Sequence, residues 1–309
     1  MALVTWAELG PVAKIGIEGT GTYGAGLARF VRAYGLEVVE VDRPDRRTRR
    51  CLGKSDPIDA EAAARATLSG VAATIPKTRE GQVEMIRVLR VARRGAMKAR
   101  VAAGGQLRDL VYAAPEELRS QLRRSQTTKA LARACLALRP GPLRDPESAT
   151  KAALRALARR WHYLQAELDT LDVELTKLVN TAAPALLALP GIGLDTAGQL
   201  LVTAGDNPGR LGSEAAFARL CGVAPLPASS GRTDRHRLNR GGDRQANHAL
   251  WRITLVRMHC HEPTKTYVQR RTQQGLSKLD IMRCLKRYIA REVYHHLINQ
   301  PDPSPTCQK

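Results

Sequence analysis

Apolar residues recur along this chain with changing periods, and the changes mark its elements. Residues 13 to 18, AKIGIE, and 37 to 42, EVVEVD, are short apolar runs of strand length. Between them lie the turn GTGTYG and the stretch AGLARFVRAY, whose apolar residues repeat at helical spacing up to Gly35. Strand, helix and strand in so short a stretch predict a βαβ unit with parallel strands. Such a unit puts Glu18 at a carboxyl edge of the sheet, where α/β proteins gather their sites. A helix is predicted to begin near Pro57, and another over 82–112 with a loose stripe of Val83, Ile86, Val88, Val91, Met97, Val101, Leu107 and Leu110. After the Pro/Gly break from Pro140 to Pro146, the residues Leu154, Leu157, Trp161, Leu164, Leu168, Leu171, Leu175 and Leu178 alternate spacings of three and four. That a/d pattern predicts a long helix packed on the upstream helix or on another subunit.

Downstream, LLALPGIGLDTAGQLLVTAGD places a tight turn, Pro190 to Gly193, between two helical stretches. Its spacing is that of a helix-hairpin-helix, in which turn amides at Gly191 and Gly193 grip a nucleic-acid phosphate, although a plain αα-turn has the same outline. NHALWRITLVRM reads as a helix and the stretch from Lys265 to Arg291 as a basic C-terminal helix, while residues 298 to 309 read as a disordered tail. The fold class expected is an α/β region followed by a mainly α region of long coiled-coil helices and a C-terminal helical domain. The domains expected are 1–80, 81–180 and 181–297.

Charge sharpens this picture. The 309 residues carry a formal net charge of +20, and arginines outnumber lysines 38 to 11, which favours a phosphate-rich partner. The excess of Lys and Arg over Asp and Glu is +2 for residues 1–80, +9 for 81–180 and +9 for 181–309. The first segment therefore has acids to spare for chemistry, and the later ones grip a polyanion. Between Arg87 and Arg100, which include Arg93 and Arg94, there are six basic residues and no acid, a pattern suited to a helix along a nucleic-acid backbone or to a solvated face. The six cysteines show no CxxC spacing, which argues against a zinc site or a disulfide framework and for a reduced, cytoplasmic setting. No window has the run of about 18 apolar residues that spans a bilayer, so no membrane is expected.

Two places carry candidate chemistry. In residues 222 to 250, GVAPLPASSGRTDRHRLNRGGDRQANHAL, a Pro-rich approach delivers Ser229 and Ser230 among Arg232, Arg235, Arg237, Arg240 and Arg244. Arginine forks match phosphate oxygens, so a hydroxyl there is a candidate nucleophile toward a phosphodiester. The plain alternative is a nucleic-acid-binding loop whose serines bond only the backbone. In GKSDPIDAEAAARA, Asp56 and Asp59 lie three apart on a helix and, with Glu18, could hold a divalent metal. The same residues also suit a helix start, with Asp56 as N-cap, Pro57 at N1 and Asp59 in the first turn.

EGTGTYG, the VDRPDRRTRR run, GKSDPIDAEAAARA, LPGIG, ASSGRTDRHRLNRGGDRQAN and IMRCLKRYIARE, in this order from about residue 4 to 297, together resemble the DEDD-type transposases of the insertion-sequence-110 family, related to the Piv and MooV proteins. The resemblance implies an incomplete RuvC-like, RNase H-fold domain, a coiled-coil linker and a C-terminal transposase domain. It places Glu18, Asp56 and Asp59 on three of the four metal-binding acids and Ser230 on the catalytic serine, with Ser229 as the fallback. It further implies Mg²⁺, DNA as substrate, a structured non-coding guide RNA, and a dimer or tetramer. The family's sequences begin with a strand bearing the first acid, whereas MALVTWAELG matches the end of the helix that follows three strands. Weak or absent catalysis is therefore expected of the chain as it stands. A non-catalytic nucleic-acid-binding remnant is the competing function. A serine hydrolase is disfavoured because PASSG lacks the GxSxG elbow.

Overall fold

The computed structural model describes residues 12–41, 55–232 and 236–299, so the expected tail beyond 299 lies outside the described residues. The chain forms two compact units. One joins residues 1–84 to 185–309, and the other consists of residues 85–184. Most described residues are helical, and the sheets are small.

In the first unit, β1 (Ile15–Glu18) and β2 (Val38–Val41) pair in parallel, with Glu18 opposite Val41. The helix between them, α1 (Ala25–Ala33), lays Ala28 and Val31 on Ile17 and Val38. Successive strand residues face opposite sides. Gly16 therefore faces away from α1, toward α2 (Asp56–Leu68), where a Cβ at Gly16 would run into Thr67 Oγ1 and stand 3.2 Å from the Ala63 carbonyl oxygen. Only glycine lets α2 come so close. The α1, sheet, α2 layering is compatible with the expected partial RuvC-like region. The start of α2 differs from the expected capping: Ser55 is the N-cap and makes no side-chain bond, and Asp56 is already helical.

The other part of this unit is a helical cluster. α7 (Pro184–Leu187) and α8 (Leu194–Ala204) flank the PGIG turn, and α9 (Glu214–Leu220), α10 (Arg244–Cys260), α11 (Glu262–Gln273) and α12 (Lys278–Ile298) follow. α10 lies at the centre, packed by α8, α11 and α12. Pro263 in the first turn of α11 and Gly275, at φ +83°, divide what reads as fewer helices in sequence. The two parts are joined by the segment after β2: the Lys77 ammonium donates to the Val202 carbonyl, Asn207 bonds the Pro76 carbonyl at 3.1 Å, and Asp206 accepts from the Val83 amide at 2.9 Å.

The second unit is built on α3 (Gln82–Tyr112) and α6 (Pro146–Ala182), which run antiparallel. Arg93 pairs with Asp172 and Arg100 with Gln165, and Gly104 lies beside Trp161. Each advance along α3 thus equals the retreat along α6. α6 begins with a capping box between Asp145 and Ser148. Its Leu154, Trp161, Leu168 and Leu175, one every seven residues, are buried, whereas Leu157, Leu164, Leu171 and Leu178 are half-buried. α3 meets them with small residues, Ala96, Ala103 and Gly104, so the larger Val88, Val91 and Val101 of the expected stripe are exposed. Two helices unmarked in the sequence pattern, α4 (Glu116–Leu122) and α5 (Thr128–Leu136), complete this core with Leu118, Leu122, Leu131 and Cys135.

Candidate functional site

Glu18 ends β1 on the same face as Gly16. On α2, Ala63 and Thr67 meet this face at Gly16, and the half-buried Asp59 continues their row, four residues before Ala63. Glu18 and Asp59 thus belong to facing surfaces of one strand–helix pair. Glu18 Oε1 is buried and has no hydrogen-bond partner among the described residues, a position that favours a cation or a donor brought by a ligand. Asp56 is exposed in the first turn of α2, where with Asp59 it also offsets the helix dipole. Among the described residues no three His, Cys, Asp or Glu side chains are grouped closely enough to ligate a metal. Glu18, Asp56 and Asp59 therefore do not by themselves fit a complete Mg²⁺ site.

The serine pair sits on a β-hairpin. β3 (Leu226–Pro227) and β4 (His236–Arg237) pair antiparallel, with Leu226 opposite Arg237. Ser229 and Ser230 lie exposed in the connecting loop, followed by Gly231 at φ +55° and exposed Arg232. Arg235 falls outside the described residues. Arg237, Arg240 and Arg244, the last at the start of α10, are exposed on the return path. These cations and the hydroxyls share one solvent-facing substructure. β3 and β4 pack substantially on each other, and neither has β1 or α2 as a major packing partner. The hydroxyls and the carboxylates are thus carried by different elements, the β3–β4 loop and the β1–α2 pair.

The base of the hairpin is fixed. A Cβ at Gly242 would lie 2.5 Å from Gly222 Cα and 2.7 Å from the Leu220 carbonyl oxygen, so the two ends of the loop touch backbone to backbone. The Asp243 amide donates to the Leu220 carbonyl at 2.6 Å. The Asp243 carboxylate caps α10, accepting from the Gln245 amide at 2.8 Å, and also accepts from Thr203 Oγ1 at 2.8 Å. Asn247, one turn into α10, donates to the Cys221 and Gly222 carbonyls at 3.1 and 3.0 Å and accepts from Lys286 of α12 at 2.9 Å. Burial, and then the nearby Arg283, pull the Lys286 ammonium below its ordinary pKa. The Cys221 thiol, buried beside Asp243, is pushed well above its ordinary range and stays protonated.

The turn glycines have different surroundings. Gly191, at φ +74°, packs its α-carbon side against Arg257 Cγ and the Ile253 carbonyl of α10, whereas Gly193 is open on that side and caps α8 with Thr196. Arg257 is buried, donating to the Pro190 carbonyl at 2.7 Å and to Glu292 at 2.6 Å, and so ties the turn to α10 and α12. In the other unit Arg93 is ion-paired with Asp172 and Arg94 is exposed. Neither Asn247 nor Lys286 stands out in sequence, since their partners lie 25 to 39 residues away. The Gly241-Gly242 pair is the local signal that two backbones meet.

Comparison with known proteins gives three matches. Residues 1–114 match the model of a DEDD-type IS110 transposase family. Residues 183–269 match a second model, described as the transposase IS116/IS110/IS902 family. An "Insertion element IS110 uncharacterized 43.6 kDa protein" of Streptomyces coelicolor is 32% identical over 126 residues, which cover 40% of this chain and 29% of that protein. The aligned stretch is thus under a third of that relative's length.

Proposed function

Since the chain belongs to the IS110 family of insertion-sequence transposases, we propose that it is built to recombine DNA at the ends of an insertion element with Ser230 as nucleophile. In this reading Ser230 Oγ loses its proton and forms a bond to phosphorus, while the bond from phosphorus to one sugar oxygen breaks and that oxygen takes up a proton. The phosphoserine ester keeps the energy of the broken linkage, so a strand hydroxyl can rejoin it by the reverse step without another energy source. Arg232, Arg235, Arg237, Arg240 and Arg244 would hold the phosphate and spread its growing charge. The observation that carries the reading is the exposed serine loop among arginines, above a base fixed by Gly222, Gly242 and Asn247. A reacting hydroxyl needs such a rigid mount.

Glu18 and Asp59 are the carboxylates best placed to share a divalent cation such as Mg²⁺, and the buried, unpartnered Glu18 Oε1 supports this. Further oxygen donors would have to come from outside the described residues. Within the same reading, the first part of the chain is a partial RuvC-like domain, and Gly191 and Gly193 belong to a helix-hairpin-helix. Arg94 and the exposed basic surface of α3 follow a nucleic-acid backbone. The half-buried Leu164, Leu171 and Leu178 of α6 form a coiled-coil seam for a second copy, and a structured RNA of the element guides target choice.

The test is strand transfer on element-end DNA, with the element's RNA and Mg²⁺ present. Ser230→Ala is expected to abolish both transfer and the covalent protein–DNA adduct, and Ser229→Ala to leave both in place. Transfer that survives the combined substitution refutes the nucleophile. The incomplete carboxylate set favours a second reading, a non-catalytic nucleic-acid binder. That reading predicts DNA binding with no adduct and no transfer for the unaltered chain.

A further inference from the structure

Behind the serine hairpin, between its base and α12, lies a cleft of about 580 Å³. One wall is apolar, with Pro225, Leu238 and the Tyr288 ring. The charged residues of its lining are mainly basic: Arg237, Arg283, Lys286 and Arg287 stand against one carboxylate, Asp280. That carboxylate is already engaged, accepting from Arg283 and from Ser277 at 2.6 Å each. Arg287 is engaged with Glu214 at 3.1 Å. Arg237 and Lys286 therefore leave the cleft with an excess of positive charge, which is costly at the half-buried Lys286, bonded to the neutral Asn247 side chain, unless an anion enters. Tyr288 is half exposed and is braced from the side by Tyr267, the ring centroids 5.7 Å apart and the planes at 87°.

A flat apolar surface beside a cluster of cations matches one ligand chemistry well, an aromatic base joined to a phosphate. The volume lies in the range of small-molecule sites, so one nucleotide fits and a duplex does not. The cleft is also tied to the hairpin. His236 and Arg237 of β4 line it, and Pro227, opposite His236, is three residues before Ser230. Three residues of extended chain reach at most about 11 Å.

We infer that this cleft receives one unpaired nucleotide of a nucleic-acid strand, its base against Tyr288 and its phosphate at Lys286 and Arg237, so that a nearby phosphodiester is presented to Ser230. The inference rests on the reading of Ser230 as nucleophile for its purpose, but the binding itself does not require cleavage. Taking a base out of a paired stack is costly, and least so at a mismatch, a bulge or a strand end. The cleft thus selects distorted or unpaired positions.

The test is binding of the full chain to duplexes that are fully paired or carry one unpaired 2-aminopurine, made as DNA and as RNA. The unpaired nucleotide is expected to tighten binding about tenfold and to change the 2-aminopurine emission, in line with the worth of one base–aromatic stack. Tyr288→Ala should remove both effects and Tyr288→Phe should keep them. With the unaltered protein, an abasic residue at the unpaired position should remove the gain, a result that does not depend on how any variant folds. The strand type that shows the base-dependent gain identifies the source of the nucleotide. If paired and unpaired duplexes bind alike, or the gain survives both Tyr288→Ala and the abasic residue, the cleft inference is overturned while the proposed function stands. If the chain binds neither DNA nor RNA, both fall.

Discussion

Lys77 Nζ donates to the Val202 carbonyl oxygen at 2.6 Å, joining positions 125 residues apart in the chain. Burial, followed by the nearby Arg210, lowers the Lys77 pKa from 10.5 to about 8, against opposing pulls from Asp243 and Glu40. The ammonium is therefore held where its charge is poorly hydrated, and a backbone carbonyl is its close neutral partner.

Stability should respond to pH in a defined direction. Between pH 8 and 10.5 the unfolded chain keeps the Lys77 proton more fully than the folded one, so folding releases protons and stability rises with pH across this window. The gain at most approaches about 3 kcal/mol. Urea midpoints measured from pH 7.5 to 10 should rise in the unaltered protein relative to Lys77→Met, which lacks the titrating group. A relative fall would show that Lys77 is not desolvated as described.

Gly242→Ala should open the base of the serine loop. The added methyl meets Gly222 and the Leu220 carbonyl, both backbone, so the cost of accommodating it is about 1–3 kcal/mol. Hydrogen exchange at the Asp243 amide, which donates to the Leu220 carbonyl, should quicken more than exchange in α6. Equal protection in the variant would mean the loop ends are not in contact.

Asn247 and Lys286 should be energetically coupled. Asn247→Leu removes bonds to Lys286 and to the Cys221 and Gly222 carbonyls, and Lys286→Met removes one of these. A double-mutant cycle should give a coupling of about 1 kcal/mol. Additive losses would separate the α12 lysine from the loop base.

Arg257→Met should destabilise the first unit by about 2–3 kcal/mol, less than for a wholly buried pair because Glu292 is partly exposed. The loss follows from stranding the Pro190 carbonyl and Glu292. Restoring neutrality with Arg257→Met and Glu292→Leu together should recover part of it. A variant as stable as the parent would remove Arg257 from the account of the PGIG turn.

Features that depend on near neighbours could be read from sequence. The parallel βαβ unit, the limits of α3 and the heptad of α6 come from short-range periodicity, and the structure has them where that periodicity puts them. The small helices α4 and α5 could not be read so, because Leu118, Leu122, Leu131 and Cys135 form a stripe only once α3 and α6 are placed. For the candidate site, the loop with its serines and arginines was legible as composition, whereas its closure as a β3–β4 hairpin was not. The clamp at its base was not, since Thr203, Leu220 and Lys286 reach Asp243, Gly242 and Asn247 from different helices. Arg93 illustrates the same limit, for its acid partner lies 79 residues on.

The discontinuous first unit has a consequence for synthesis. While the ribosome is still making α6, the strand pair and α2 have emerged, but the stretch from Val202 to Asn207 that receives Lys77, Pro76 and Val83 does not yet exist. Long-range contacts of this kind form late. A nascent chain therefore keeps the segment after β2 without its partners until translation has passed Asn207, and prematurely terminated products lack the base on which the serine loop is mounted.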